Sequence, residues 1–452
     1  MAQLTEAGFL LKLPDSSYTK GATFWIAYSG GLDSQVLLDL ALKTLPKSTL
    51  KAIHIHHGLH ADADHWQEHC ENVCAQADIE LHTQWISPNK DKSSLEQEAR
   101  FSRYAAFESL LRKGDYLLMA HHQDDQLETL LFRLARGSGI KGLCGIPSRR
   151  QLGDAILLRP LLEYSKDDLR AYAQEHKLSW IEDSSNVDTN FDRNFLRHEI
   201  VSRLKQRWPG IGSSVQRSAT LHQETDQLLA TLAQMDLGMD FTGLRPRLPL
   251  AKLKALDASR QRNALRYWFA ALSQQYRMPA PGFDELRRLV TELIPAVEDA
   301  EPIVFWSDAG VEVQARRYRD TLHVLVDFSK QGPSARYPFK LSDQLQLPNN
   351  LGRVSLKASP EGIVIDPEDK LEIRFSNPEG SARPRGRRTR TFKKLYQDFG
   401  VPPWMRERIP LLYVNDELAA VGDLFLCAEK CPDDPENCVI LAWERADIHC
   451  GY

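Results

Sequence analysis

Ser29-Gly30-Gly31-Leu32-Asp33-Ser34 combines the residue types that a pyrophosphate needs from a protein loop: two glycines, two hydroxyls and one acid. The glycines open backbone conformations closed to residues with a Cβ and let phosphate oxygens approach the chain, while Ser29 and Ser34 carry hydroxyls able to donate. The apolar run Phe24 to Tyr28 reads as a strand ahead of the loop, and Val36, Leu37, Leu38, Leu40 and Ala41 read as a helix behind it. Such a turn leaves unpaired N–H groups and the positive end of the helix dipole facing a ligand. Asp33 in an anion site calls for a divalent cation between its carboxylate and the phosphates. The loop therefore predicts ATP with Mg2+, and Asp33 as the metal holder. No Gly-Lys-Ser/Thr accompanies it, so cleavage between the α- and β-phosphates is the better expectation. The plain alternative is a Gly-Gly turn capped by Ser and Asp that binds nothing.

Two further clusters carry chemistry. His121-His122-Gln123-Asp124-Asp125-Gln126-Leu127-Glu128-Thr129 follows the strand-like Tyr116 to Met119 and opens a helix. Asp125 lies in the first turn, where the dipole favours its charge, and Glu128 faces the same way one turn on. Acidic first-turn residues also occur at ordinary helix starts. Downstream, the polar run Glu182 to Asn186 leads to Arg193 and Arg197, spaced to share one helical face and to clamp phosphate bidentately.

The elements that must position these residues follow from periodicity. From residue 22 to about 182, strand-like runs near 23–28, 50–56, 80–86, 115–120 and 155–159 alternate with helical patterns. The helices fall over 35–44, 63–77, 94–112, 124–136 and 165–176. That alternation predicts an α/β fold, a doubly wound parallel sheet of about five strands. Ligands in such sheets bind at the carboxyl ends of the strands, which gathers the loop, the histidines after the second strand and the His-Asp segment after the fourth around one crevice. Beyond Asn194 helical patterns run to about Ile294, β-like runs follow at 303–306 and 322–328, and short strands and turns begin near Gln344. The expected domains are 1–208, nucleotide-binding and catalytic; 209–335, mainly helical and substrate-binding; and 336–452, small and α+β.

A chain of 452 residues exceeds what one core usually holds. No apolar run approaches the 18 or so residues that span a bilayer, and Met1 to Pro14 lacks a basic, then apolar, leader pattern, so a cytoplasmic protein without membrane attachment is expected. Seven scattered cysteines read as reduced thiols. The net charge of −4 does not by itself call for a polyanion, but charge is unevenly spread. Arg383, Arg385, Arg387, Arg388, Arg390, Lys393 and Lys394 occupy a run without any acid from Ser381 to Gln397. It could track RNA phosphates, with Phe392, Tyr396 and Trp404 either as base-stacking partners or claimed by core packing, or be a solvated loop. Gly137-Ser138-Gly139-Ile140-Lys141-Gly142 matches the dinucleotide fingerprint but follows a helix, and so fails that test of context; a mobile loop or a helix C-cap remains. Histidines 54, 56, 57, 60, 65 and 69 lack a fixed ligand spacing, and Cys427, Cys431, Cys438, His449 and Cys450 are only a slightly better metal candidate.

Taken in order, Ser29 to Ser34, His121 to Thr129, Arg136 to Leu143, Glu182 to Asn186 and Arg193 to Arg197 resemble the tRNA(Ile)-lysidine synthetase family of the PP-loop N-type ATP pyrophosphatases. Phe392-Lys393-Lys394-Leu395, Val401-Pro402-Pro403-Trp404 and Arg408-Ile409-Pro410-Leu411 are similar to its longer bacterial form. The resemblance implies a ligase that adenylates C2 of the wobble cytidine in isoleucine tRNA with a CAU anticodon and replaces the C2 oxygen with the ε-amine of free lysine. It implies ATP on Ser29, Gly30, Gly31, Leu32, Asp33 and Ser34, and catalytic roles for Asp33, Asp125, Arg193 and Arg197. Asp125 would take the proton of lysine, with Asp33 as the competitor, and Glu128 would anchor the amine, with tRNA on Arg387, Arg388, Arg390, Lys393 and Lys394. No feature calls for an obligate protein partner. The competing readings are a tRNA thiolase of the same superfamily, for which Cys70 and Cys74 stand i, i+4 instead of as Cys-x-x-Cys, and a noncatalytic tRNA-binding protein.

Overall fold

The computed structural model describes residues 4–14, 21–58, 62–86, 95–182, 192–297, 300, 302–328, 336–375, 378, 380–428 and 438–445. Internal contacts divide the chain into two units, Met1–Gln227 and Leu228–Tyr452.

The first unit is built on strands β1 (Phe24–Ala27), β2 (Leu50–His56), β3 (Glu80–Trp85), β4 (Tyr116–Leu118), β5 (Arg149–Leu152) and β6 (Ala155–Leu158). Their order is β3-β2-β1-β4-β6-β5. Strands β3, β2, β1, β4 and β6 run parallel. The sheet is wound to one side from β1 through β3 and to the other from β4. The switch point therefore falls between β1 and β4, whose carboxyl ends carry the loop at residue 29 and the His-Asp cluster at 121. A correction to the parallel sheet of about five strands is β5, a sixth, antiparallel edge strand paired with β6. Its residues Arg149, Arg150 and Gln151 show no apolar alternation, so the ladder and the tight turn at Gly153 make the strand, not side-chain burial.

Helices cover both faces because the strands are apolar on both. On one face α2 (Leu32–Thr44) buries Val36, Leu37, Leu38, Leu40 and Ala41 against Phe24 and Ile26, joined by Cys70 and Cys74 of α3 (Ala63–Ala77) and by Leu169, Tyr172 and Ala173 of α7 (Lys166–Glu175). On the other, Trp25, Ile53, Leu117, Met119 and Leu157 meet Phe107 of α4 (Leu95–Leu110). Each fully buried Leu or Ile contributes roughly 1.5–3 kcal/mol, enough in sum to hold the strand ends rigid. Helix α5 (Gln123–Ala135) continues β4, and α6 (Ile140–Leu143) follows it. Next come α8 (Asp192–Phe195), a π-helical turn at Leu196–Val201, α9 (Ser202–Arg207) and the long α10 (Ile211–Leu237).

In the second unit the segment read as mainly helical also holds a four-stranded antiparallel sheet of 247–249, 321–326, 311–318 and 303–308. Helix Ala258–Tyr276 packs Leu265, Trp268, Phe269 and Leu272 in the core that this sheet shares. Alternating burial along 303–308 is the period-2 signal of a half-buried strand. The C-terminal part is richer in sheet than α+β implies, with antiparallel sheets of five and three strands, a two-stranded ladder of 381–382 with 390–391, and, among the described residues, an α-helix at Phe392–Asp398 and a 3-10 turn at Pro403–Met405. Among the described residues no helix is long and apolar enough to cross a membrane.

Candidate active site

Backbone geometry shapes the loop after β1. Gly30 has φ of +80°, in the left-handed region, and a Cβ there would come within 3.1 Å of Ile181 and 3.2 Å of Cys70. The Ile181 N–H donates to Gly30 O at 2.9 Å, and a parallel bridge joins Ile181 to Gly31. Ser34 Oγ donates to Gly31 O at 2.9 Å and accepts from the Ser29 N–H at 3.2 Å, while the two hydroxyl oxygens stand 3.1 Å apart. Both serines thus brace the loop. Gly31 caps α2 without a side-chain acceptor, which leaves first-turn N–H groups as donors at the cavity.

Charges of opposite sign alternate across the switch point. Lys166 Nζ lies 3.6 Å from Asp33 Oδ2, and His122 Nε2 stands 3.4 Å from Asp33 Oδ2 and 3.6 Å from Asp125 Oδ2. The His122 N–H donates to Asp125 Oδ2 at 2.9 Å. Arg197 Nη2 is 3.6 Å from Asp125 Oδ1, and its fork donates to both oxygens of the fully buried Glu128 at 2.7 and 3.0 Å. Burial pushes the Asp125 carboxyl up, but His122, His121, a backbone N–H and Arg197 outweigh it and bring the pKa down to about 2. Asp33 is likewise held below the ordinary carboxylate value, His122 and Lys166 prevailing over burial and the like charge of Asp125. Glu128 is raised, burial exceeding the help of Arg197. Asp33 Oδ1 is buried without a hydrogen-bond partner, an acceptor of the kind a cation would use.

Burial alone would strip His122 of its proton, yet Asp125 and Asp33 raise its pKa to about 8. At neutral pH the imidazolium keeps the two carboxylates compatible. A folded pKa above the unfolded value near 6.5 stabilises fully below pH 6.5, and that contribution is lost as pH rises through 8, an amount on the order of 2 kcal/mol. The melting temperature of His122→Gln should therefore trail the parent most at pH 6 and converge on it by pH 9 in metal-free buffer. A gap that does not change with pH would mean the imidazole is neutral throughout.

The loop, Asp33, His121, Lys166, Arg197 and His198 line one cavity of about 850 Å³. Of the residues expected to act together, Ser29, Gly31 to Ser34 and Arg197 line this cavity, whereas Asp125 and the fully buried Glu128 do not line it and connect to it through His122 and Arg197. Arg193 does not join them; it reaches Thr129 Oγ1 at 3.4 Å and lines a separate cavity of about 300 Å³. The break comes from the π-helical turn that begins at Leu196, which ends the regular spacing between the two arginines. Sequence patterns assign no role to His122 or Lys166. Lys166 does leave a signal, since a cation at the first position of a helix opposes the dipole and implies a nearby acid.

The other motifs resolve plainly. Gly137 has φ of +70° and donates to Leu134 O, as a helix C-cap does, and Arg133 ties the carbonyls of Gly142 and Gly145. Cys70 and Cys74 are buried, and burial raises both thiols, Cys74 to about 12. Among the described residues no three His, Cys, Asp or Glu side chains gather as a metal cluster, and Cys431, His449, Cys450, Asp183 to Asn186 and His60 lie outside them. Phe392 and Tyr396 belong to the core, the second of the two readings open to them, and Trp404 packs on Tyr318 and His323. The seven cations from Arg383 to Lys394 are exposed. Arg390 pairs with Asp398 at 2.6 Å, and Arg387 lies over Phe399.

A glycine loop that opens a helix at the switch point of a largely parallel sheet, faced by a second acid from the neighbouring strand, defines a PP-loop protein. The PP-loop domain model matches residues 7–204, which implies the use of ATP. The TilS substrate binding domain matches 248–323 and the TilS substrate C-terminal domain matches 371–443. The tRNA(Ile)-lysidine synthase of Serratia proteamaculans is 41% identical over 89% of this chain and 91% of its own. That of Pectobacterium atrosepticum is 39% identical over 93% and 94%, and that of Coxiella burnetii 35% over 91% of each. The chain belongs to the tRNA(Ile)-lysidine synthase family.

Proposed function

We propose that this chain joins free lysine to C2 of the wobble cytidine of an isoleucine tRNA with a CAU anticodon, through two half-reactions on one site. The observation that carries this reading is the pair of ionised carboxylates, Asp33 on the phosphate loop and Asp125 on the next strand's helix, held about one imidazolium, His122. In the first step the C2 oxygen attacks the α-phosphorus of ATP and pyrophosphate leaves. First-turn N–H groups of α2 and the Lys166 ammonium stabilise charge as it moves onto the leaving oxygens. Asp33 would hold Mg2+, and the unpartnered Oδ1 suits a cation that takes one or two carboxylates and completes its shell with phosphate and water. The bound ion would supply Lewis-acid stabilisation of phosphate charge.

In the second step the lysine ε-amine attacks C2, and AMP departs with the former C2 oxygen. Free lysine, with a pKa of about 10.4, arrives as an ammonium and needs an anion to receive it. Asp125 serves this purpose and accepts the proton as the C–N bond forms. Glu128, its oxygens taken by Arg197, keeps that guanidinium beside Asp125 and so shapes the lysine end from behind. Arg193, one turn before Arg197 in sequence, lines the separate smaller cavity.

The deciding experiment is mass analysis of the wobble nucleoside after incubation with tRNA, ATP and lysine, where a gain of lysine minus water is expected. No gain, with tRNA still bound, would leave the noncatalytic reading. The thiolase reading suffers from the burial of Cys70 and Cys74, which disfavours the thiolate that sulfur transfer needs.

The exposed run of Arg387, Arg388, Arg390, Lys393 and Lys394 is proposed to grip tRNA phosphates. Replacing Arg387, Arg388, Lys393 and Lys394 with alanine should raise the KM for tRNA and flatten the salt dependence of binding by roughly 0.7–0.9 for each phosphate no longer neutralised. Affinity for ATP should hold. Fluorescence titration across salt concentrations measures the slope, and an unchanged slope would reduce the run to solvated surface.

A further inference from the structure

The smaller cavity in the first unit is lined by Arg100, Arg133, Arg150, Arg159 and Arg193 together with His121. Five guanidinium groups surround about 300 Å³, and no carboxylate lines it. None of the phosphate-loop residues 29–34 lines it either. Resting on the function proposed above, we infer that this cavity is a phosphodiester site for the RNA strand beside the nucleotide being modified.

The guanidinium groups are fixed in advance. Arg133 donates to Gly142 O and Gly145 O, both at 2.8 Å, and Arg159 to Pro147 O at 2.6 Å. Arg100 and Arg150 lie over the ring of Tyr104, at 5.1 and 4.5 Å from its centroid. Arg150 Nε is buried and has no hydrogen-bond partner, a donor without an acceptor. Cations gathered in a recess repel one another and lose hydration, so the arrangement is offset only when an anion enters. Planar forks held rigid match phosphate oxygens bidentately with little further loss of side-chain freedom.

Position decides which anion. His121 lines both cavities, and its Nδ1 accepts from Arg159 Nε at 3.1 Å. The ring therefore stands between the two cavities, with Asp33 of the acid pair about His122 lining the larger one. The triphosphate belongs with the N–H donors of the loop, in that larger cavity. A cytidine placed for adenylation there carries phosphodiesters on both sides of its ribose, and the arginine cavity adjoins it across one imidazole. The α-carboxylate of lysine carries a single charge, which one bidentate arginine would satisfy. Five exceed that need, whereas a strand offers successive phosphates.

The test uses the full chain and an anticodon stem-loop RNA. In Arg100→Ala/Arg150→Ala, RNA affinity should fall at least tenfold at low salt and the salt slope should drop by roughly 0.7 for each phosphate no longer neutralised. The KM for ATP and for lysine should stay within twofold, and Arg100→Lys/Arg150→Lys should recover the slope. Should the double alanine variant fail to fold, Arg100→Glu at that exposed position carries the same test. An unchanged slope overturns the inference, as does a KM increase confined to lysine, which would make this a carboxylate site, or confined to ATP, which would make it a triphosphate site. A parent protein that binds the RNA without modifying it would sink the proposed function instead, and the slope comparison would still judge the cavity.

Discussion

Asp33→Asn should lose pyrophosphate release by about 10³-fold while binding tRNA almost as the parent does. The substitution keeps the shape of the side chain and removes its charge, so the α2 turn and the Gly30 conformation should persist. What disappears is the anion that holds Lys166 and His122 in place and offers the unpartnered Oδ1 to a cation. The magnesium response separates these two losses. If Asp33 holds the ion, raising Mg2+ from micromolar to tens of millimolar should restore part of the variant's rate, with a midpoint shifted upward. Pyrophosphate release is followed by a coupled assay and tRNA binding by fluorescence titration. Parental pyrophosphate release by the variant would remove Asp33 from the nucleotide site.

The difference between that residue and its neighbours shows what can be read from a chain before it folds. Asp33 was legible because a carboxylate in a glycine loop is a contradiction that only a cation resolves, and both facts lie within six residues. The parallel strands were legible because burial on both faces leaves continuous apolar runs such as Phe24-Trp25-Ile26. Strand β5 was not, because its pairing satisfies backbone groups without burying a side-chain stripe. Nor was His122, since its neighbour His121 has the same local pattern and only tertiary packing gives them opposite fates. Burial and nearby arginines take His121 down to about 3, while two carboxylates take His122 up to about 8. Arg193 and Arg197 illustrate the converse. Helical spacing put them on one face, and a π-turn sent them to different cavities. Spacing predicts proximity only while the helix keeps its period.

Asp125→Asn should block the lysine step more than the adenylation step, so that tRNA carrying AMP on its wobble cytidine accumulates. The reasoning begins with charge. With a pKa of about 2 the carboxylate is ionised at every pH at which the protein works, and asparagine keeps an acceptor for the His122 N–H but carries no charge. His122 then loses the anion that contributes most to its raised pKa, while Asp33 still faces it and the nucleotide loop is unaltered. Adenylation, which draws on the loop, should survive at a reduced rate. The lysine ammonium, by contrast, would enter a site that has lost the anion proposed to receive it, while Arg197 stays paired with Glu128, so the attraction at the point of attack is gone. Loss of a positioned proton acceptor typically lowers rate by 10²- to 10⁴-fold. Incubation of the variant with ATP labelled at the α-phosphate should therefore leave label on acid-quenched tRNA, and a lysine chase should release it far more slowly than in the parent. Lysine supplied at higher pH, where more of it arrives as the free amine, should recover part of that rate, because the missing group would no longer have to take the proton. Equal loss of both half-reactions, with no labelled tRNA at any time, would place Asp125 with the nucleotide and leave Asp33, which lines the cavity, as the competing acceptor of the lysine proton.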